Sequence, residues 1–182
     1  VVKMAKEISD FMDTTPDKQR MDSLMVAANI RNLSLLELFY TCVANLCKIM
    51  DERGTKIPAE QHHYIEKDDY NKCIYHKRDM DATERTVIVM KDADILIKIC
   101  DSTGDFDDTS EYQLLIRLLK ERTIIDDDGS RRLRQKEEVE NPSEVLLNPS
   151  DPEATFRYKS GGKHLGYVGN VVEAVGEKSS LV

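Results

Sequence analysis

The sequence predicts an α+β fold in which a helical subdomain is inserted between an early β-strand and a late antiparallel β-hairpin or meander. Three features lead to this prediction: a glycine-punctuated, β-branched stretch late in the chain, an alternating apolar stretch early in it, and helix-capping motifs between them. We divide the chain into an N-terminal helix and first strand (1–32), a helical insertion (33–123), a connector (124–150) and the hairpin (151–182).

The late segment has the composition of a β-hairpin. Leu165 to Val172 is rich in β-branched and aromatic residues, and Gly161-Gly162 provides a turn before it. The predicted strands are Ala154–Lys159, His164–Ala174 and, if a meander continues, Ser179–Val182. A hairpin needs a further strand or a helix to cover it, and only Lys18 to Ile30 could supply another strand. The architecture therefore depends on one pairing between the early strand and the hairpin. We expect this pairing to place Asp22 of the early strand in the central region of the sheet, beside the hairpin.

The early strand carries an acid at its centre. Met21, Met25 and Ala27 alternate with polar or small residues, which predicts a strand from about Gln19 to Ala28. Asp22 lies inside it, although aspartate is disfavoured in strands. Such a local inconsistency often marks a working site, but a charge on an edge strand also protects against aggregation. Both interpretations of Asp22 stay open at this point.

Between the two β segments the sequence indicates helices. Apolar spacing predicts a first amphipathic helix over Val1 to Met12, and Pro58 is expected to begin a further helical stretch in the insertion. Capping motifs predict three helix starts, at Ser34-Leu-Leu-Glu37, Asp81-Ala-Thr-Glu84 and Asp108-Thr-Ser-Glu111. Short polar joints between these helices predict a small bundle. The connector that follows has two prolines and opposed charge blocks, so we expect it to be mobile with fragmentary structure.

Zinc-ligand residue types cluster in the insertion. His62, His63, Cys73 and His76 lie close in sequence, but their spacing fits no common zinc finger. The favoured interpretation is that they are surface or half-buried helical residues. The other cysteines lie in apolar helical surroundings, as expected for reduced thiols in a cytosolic protein.

Composition limits the partners that the chain can have. Of 182 residues, 40% are apolar and 33% are charged, and the net charge is −8. Basic residues nevertheless gather at 131–136 and at 157–163, and nucleic-acid binding depends on local charge.

No apolar run approaches the roughly 20 residues that span a bilayer. Nucleotide-binding glycine loops and the common hydrolase motifs are absent from the sequence.

Two blocks together resemble a known family. The block from Lys18 to Ser34 is similar to the segment that carries the first catalytic aspartate in bacterial insertion-sequence transposases of the DDE class. The block from Asn148 to Glu173, with DPEATFRYKSGGKHLGYVGNVVE, resembles the second-strand block of the same family. The chain departs from the family pattern at Leu24, where threonine is common, and at Leu35, where arginine is usual.

The resemblance implies a ribonuclease H-like mixed sheet, incomplete here, with a helical insertion. It also implies metal-dependent cutting and joining of DNA, for which three carboxylates hold two divalent ions, Mg²⁺ or Mn²⁺, about 4 Å apart. Asp22 matches the first of these carboxylates, both as a catalytic residue and as a metal ligand. The other two are expected beyond Val182, so the chain is expected to be an excised piece that is inactive alone.

A basic hairpin beside such an acid suits phosphate binding. Arg157, Lys159 and Lys163 are therefore predicted to contact the DNA backbone, with a solvated strand face as the alternative. The implied partners are terminal-repeat and target DNA, with homo-oligomerisation left open, no membrane, and a cytoplasmic location. The alternative function is a non-catalytic helical module that binds DNA or protein.

Overall fold

The computed structural model describes residue 7 and residues 18–76, 80–159, 161–175 and 180–181. The helix predicted over Val1 to Met12 lies outside the described residues, apart from Glu7. The predicted α+β class is confirmed, because helices and antiparallel strands are both present. The chain forms two compact units, which we describe separately. The sheet unit comprises residues 1–29 and 157–182, and the helical unit comprises residues 30–156.

The larger sheet joins the early strand to the late hairpin. Its strands are β1 (Lys18–Ala27), β4 (Thr155–Lys159), β5 (Gly162–Val175) and β6 (Ser180–Leu181). The strand order is β1-β5-β4, and β6 pairs with the end of β5. The predicted strand boundaries agree with these within a few residues. The expected pairing of the early strand with the hairpin is confirmed.

The register between β1 and β5 is continuous and antiparallel. It runs from Lys18 opposite Val175 to Ala27 opposite Gly166. Beyond this last pair, the Ala28 amide donates a hydrogen bond to the Leu165 carbonyl over 3.1 Å. Valines and aromatics favour this extended, pleated backbone in β5.

Neither face of the β1–β5 pair is buried throughout. Successive side chains of a strand point to opposite faces, and large apolar side chains are exposed at both odd and even positions of β1. Among the side chains that the structure describes in these two strands, the large exposed apolar ones are Met21, Leu24, Val26, Val168 and Val172. Alternation in the sequence therefore identified a strand without identifying a buried face.

The described residues of the helical unit form four α-helices, the second of them a single turn. Its helices are α1 (Leu35–Glu52), α2 (Asp69–Asn71), α3 (Ala82–Thr103) and α4 (Ser110–Arg122), and a small hairpin follows, formed by β2 (Thr123–Ile125) and β3 (Arg131–Leu133). Their core consists mainly of buried side chains from α1, α3 and α4, joined by residues of the intervening loops and of the connector. The largest fully buried side chains include Phe39, Leu38, Leu46, Met50, Met90, Leu96, Phe106, Leu115, Leu118 and Leu146. No helix among the described residues has the length and apolar character needed to cross a membrane.

Two of the three predicted helix caps are confirmed. Ser34 and Asp81 form capping boxes with Glu37 and Glu84. The third prediction is wrong, because Thr109 rather than Asp108 is the N-cap of α4, and no side chain caps it.

The stretch after Pro58 is helical only in short pieces. A 3₁₀ helix spans His62–Ile65, α2 forms a single turn, and a π-helical turn spans Lys72–His76. The sequence predicted helix here, and the structure shows that it changes type twice before α3.

The connector is more ordered than the sequence predicted. It contains the β2–β3 hairpin and a 3₁₀ turn over Lys136–Glu138. Its later part is buried over Val145–Pro149, and Leu146 joins the core of the helical unit. The structure therefore differs from the expected mobile segment, because an apolar triplet near the end of the connector packs against the helices.

Candidate functional site

Asp22 lies on β1 opposite Val171 of β5, with an exposed side chain. Its Oδ1 accepts a hydrogen bond from the Ser23 amide over 2.9 Å. Ser23 Oγ in turn donates to Asn170 Oδ1 on β5, also over 2.9 Å. The carboxylate is thus open to solvent at a position that is fixed by the strand pairing.

The position of β1 in the sheet differs from the expectation. The sequence suggested that Asp22 lies in the central region of the sheet, but β1 is at the end of the order β1-β5-β4 among the described strands. β1 pairs with β5 along one side, and no second partner of β1 is present among the described strands.

The three predicted DNA-binding residues lie on the hairpin strands. Arg157 and Lys159 belong to β4, and Lys163 belongs to the start of β5. Their contact with DNA stays a prediction.

The other basic segment is paired within the helical unit. Arg131 Nε lies 2.8 Å from a carboxylate oxygen of Asp94. Arg132 contacts Asp126 over 3.0 Å and Glu138 over 2.8 Å. These ion pairs use the guanidinium groups for internal contacts, which leaves them poorly suited to bind phosphate.

Arg134 also faces inward, through backbone carbonyls. Its Nε donates to the Thr123 carbonyl over 2.9 Å, and its Nη1 donates to the Glu138 carbonyl over 3.0 Å. The basic segment at 131–136 therefore holds β3 against the end of α4. Of the two basic segments in the sequence, the one at 157–163 is the better candidate for DNA contacts.

The predicted group of histidines and cysteine is only partly brought together. His63 and Cys73 converge, whereas His62 and His76 have exposed side chains and do not join them. A residue that sequence reasoning missed, Asp69, lies between the two. One donor atom from each of His63, Asp69 and Cys73 lies within 4.8 Å of the other two.

Asp69 is the centre of this cluster. Its Oδ2 lies 2.7 Å from His63 Nδ1 and 3.5 Å from Cys73 Sγ, and it accepts a hydrogen bond from the Tyr40 hydroxyl over 2.6 Å. Burial would raise the pKa of the Asp69 carboxyl, but hydrogen bonds from Tyr40 and His63 outweigh burial and hold the pKa below its usual value. The group is therefore a buried, ionised acid. The spacing of four residues between Asp69 and Cys73 was the available sequence signal, since such residues share a helix face.

A second buried acid has a structural role. Glu37 accepts hydrogen bonds from the Ser34 amide over 2.8 Å, the Tyr70 hydroxyl over 3.1 Å and the Tyr75 hydroxyl over 3.3 Å. It also forms an ion pair with Arg31. Glu37 thus connects the start of α1 with the segment around α2, in addition to the capping role that the sequence predicted.

Comparison of the chain with protein-family models, with curated proteins and with solved structures finds no match.

Proposed function

We propose that the chain is part of a DNA transposase of the DDE class, which cuts and joins DNA strands by metal-dependent phosphodiester transfer. The observation that carries the proposal is the pairing of β1 with β5. These strands come from the two sequence blocks that resemble the transposase family, although the whole helical unit separates them in the chain. A ribonuclease H-like topology for the complete sheet belongs to the same proposal.

Asp22 is the metal-binding acid in this proposal. Hard cations such as Mg²⁺ and Mn²⁺ prefer oxygen ligands, and the exposed Asp22 carboxylate offers them on a strand held by its neighbour. One carboxylate supplies only one or two of the roughly six ligands of Mg²⁺. Asp22 therefore fits such an ion as one ligand of an incomplete set, and two further carboxylates are required for the chemistry. In that chemistry a pair of metal ions would activate the attacking oxygen and stabilise the leaving oxygen.

The basic hairpin would hold the DNA. Arg157, Lys159 and Lys163 are assigned to phosphate contacts, which position the nucleic acid without reading its sequence. This assignment is supported by the internal pairing of Arg131 and Arg132, since those residues are engaged by acids of the helical unit. The net charge of −8 does not oppose it, because phosphate binding follows local charge.

The test is strand cleavage by the complete reading frame that contains this sequence. Asp22→Asn keeps the shape of the side chain and removes its charge, so we expect cleavage of DNA carrying the element ends to fall to background with Mg²⁺ or Mn²⁺. The matched control is Asp127→Asn, the same change at an exposed turn position, which should leave cleavage unchanged.

Two outcomes separate the alternatives. Equal cleavage by wild type and Asp22→Asn would refute the role of Asp22. DNA binding without cleavage by the wild-type protein would favour the non-catalytic binding module. The 182-residue chain alone is expected to bind DNA without cutting it, because Asp22 is the one catalytic carboxylate that the resemblance assigns to it.

A further inference from the structure

The segment between α1 and α3 gathers three metal-ligand side chains on three short elements. His63 lies in the 3₁₀ helix, Asp69 begins α2, and Cys73 lies in the π-helical turn. Single turns of π-helix occur frequently at functional sites. Here the changes of helix type accompany the convergence of an imidazole, a carboxylate and a thiol.

We propose that His63, Asp69 and Cys73 bind one transition-metal ion of the zinc class. Their donor atoms lie within 4.8 Å of one another, a separation that small side-chain adjustments can close around one ion with bonds of about 2.0–2.3 Å. This site lies in the helical unit and does not depend on the transposase proposal, whose ion is a hard cation at Asp22.

The donor set selects the class of metal. Thiolate and imidazole ligands favour Zn²⁺ and similar transition metals, whereas Mg²⁺ and Ca²⁺ require sets of oxygen atoms. Binding releases the proton of the Cys73 thiol to solvent, and His63 binds as the neutral imidazole through Nδ1, with its one remaining ring proton on Nε2. The thiolate and the Asp69 carboxylate then balance the two positive charges, which suits half-buried surroundings.

Neighbouring aromatic residues hold the ligands in place. The Tyr40 hydroxyl donates to Asp69 from a buried position on α1, which is the kind of outer contact that orients a metal-binding carboxylate. The His63 ring packs against Tyr64 with ring centroids 4.1 Å apart. Three protein ligands leave one position of a tetrahedral ion for water, and the partial exposure of His63 and Cys73 gives solvent access to it.

Cys73 is the cysteine best placed to supply a thiolate. Cys42, Cys47 and Cys100 are buried in the core. Burial raises the pKa of Cys42 and of Cys47 to about 12 and that of Cys100 to about 11. A thiolate–metal signal from the folded protein is therefore assigned to Cys73.

The test begins with the 182-residue chain from which bound metal has been removed with a chelator. The chain is then titrated with Zn²⁺ in the presence of a second, chromophoric chelator that competes for the ion and reports its free concentration. We expect one Zn²⁺ per chain and a higher melting temperature with the metal, because the ion joins three short elements. Cys73→Ser and His63→Ala should each weaken binding at least about tenfold and remove the thermal stabilisation. His62→Ala and His76→Ala are matched controls, since these exposed neighbours lie outside the cluster, and both should bind as the wild type does.

A second measurement uses the wild-type chain alone, so that it stands even if a variant fails to fold. Co²⁺ in place of Zn²⁺ should give the near-ultraviolet thiolate-to-cobalt band and the visible spectrum of a tetrahedral ion. Absence of this band, or Zn²⁺ binding that persists unchanged in folded Cys73→Ser and His63→Ala, would overturn the proposal. The cluster would then be a hydrogen-bonded anchor between Asp69 and α1. Equal binding of Mg²⁺ at the same site would contradict the assigned metal class.

Discussion

Gly166 is a position where the sheet leaves no room for a side chain. Its φ angle is 153°, a conformation that residues with a side chain rarely adopt. A Cβ atom there would lie 2.0 Å from the Val26 carbonyl oxygen and 2.8 Å from the Ala28 nitrogen. Both contacts are to backbone, which cannot rotate away. The glycine therefore permits the close approach of β5 to the end of β1.

Gly166→Ala should weaken the β1–β5 pairing. We expect a loss of roughly 1–3 kcal/mol, the usual range for overpacking, seen as faster hydrogen exchange at the β1 amides. Gly169→Ala is the control on the same strand, since its added Cβ would come no closer than 4.0 Å to the Leu24 carbonyl oxygen. Equal exchange rates in the two variants would show that the close approach at Gly166 does not hold the strands in register.

The sequence identified the position of one candidate site residue, Asp22, and missed another, Asp69. The strand position of Asp22 was predictable, because alternation over a few neighbours determines it. Asp69 was not identified, because its importance comes from Tyr40, which is distant in sequence and donates to it across the fold. Local spacing cannot reveal a contact that depends on how α1 packs against the following segment.

Secondary-structure elements were predicted where the signal was local. The capping boxes at Ser34 and Asp81 depend on side chains three residues apart, and both form. Asp108 was predicted to cap α4, but it lies 3.9 Å from Arg53 and its side chain is 88% exposed. Thr109, the next residue of the same motif, is the N-cap, and no side chain caps it. The motif therefore located the helix start to within one residue but did not identify the N-cap.

For the connector, the sequence predicted less structure than the fold contains. Its prolines and charges indicated little structure, yet the Leu146 amide donates to Glu121 Oε2 over 2.7 Å and Arg117 Nη2 donates to the Glu144 carbonyl over 3.0 Å. Both partners lie on α4. Tertiary contacts of this kind order a segment whose own sequence has no periodicity.

The basic strand β4 provides a test of DNA binding at the level of one element. Arg157→Ala and Lys159→Ala should each weaken binding of the chain to duplex DNA, because each removes one cation near phosphate. The slope of log K against log salt should fall by about one unit per residue. Fluorescence anisotropy over a salt series measures both effects.

The control for this experiment is an exposed lysine in the helical unit. Lys98→Ala removes the same charge from α3, so it should leave the slope unchanged. If all three variants lose affinity equally, binding follows net charge, and the assignment of the hairpin as the DNA contact is wrong.

At the scale of the whole chain, the two units are assembled differently. The sheet unit takes strands from both ends of the sequence, so it forms only when distant segments meet. The helical unit is contiguous, and its core is made mainly by α1, α3 and α4, together with the loop residue Phe106 and Leu146 of the connector. Contiguous units close their contacts over shorter chain separations, which lowers the entropic cost of folding.

This difference predicts that residues 30–156 fold without the sheet unit. The isolated segment should show a helical circular dichroism spectrum and one cooperative unfolding transition, since its buried core lies within its own sequence.

Within the isolated segment, Leu96→Ala should lower the free energy of unfolding by about 2–5 kcal/mol, because Leu96 is fully buried. Ile95→Ala is the adjacent control, and its 40% exposure should make the loss much smaller. A gradual transition, or equal losses from the two substitutions, would mean that the segment does not keep this core when it is separated from the sheet strands.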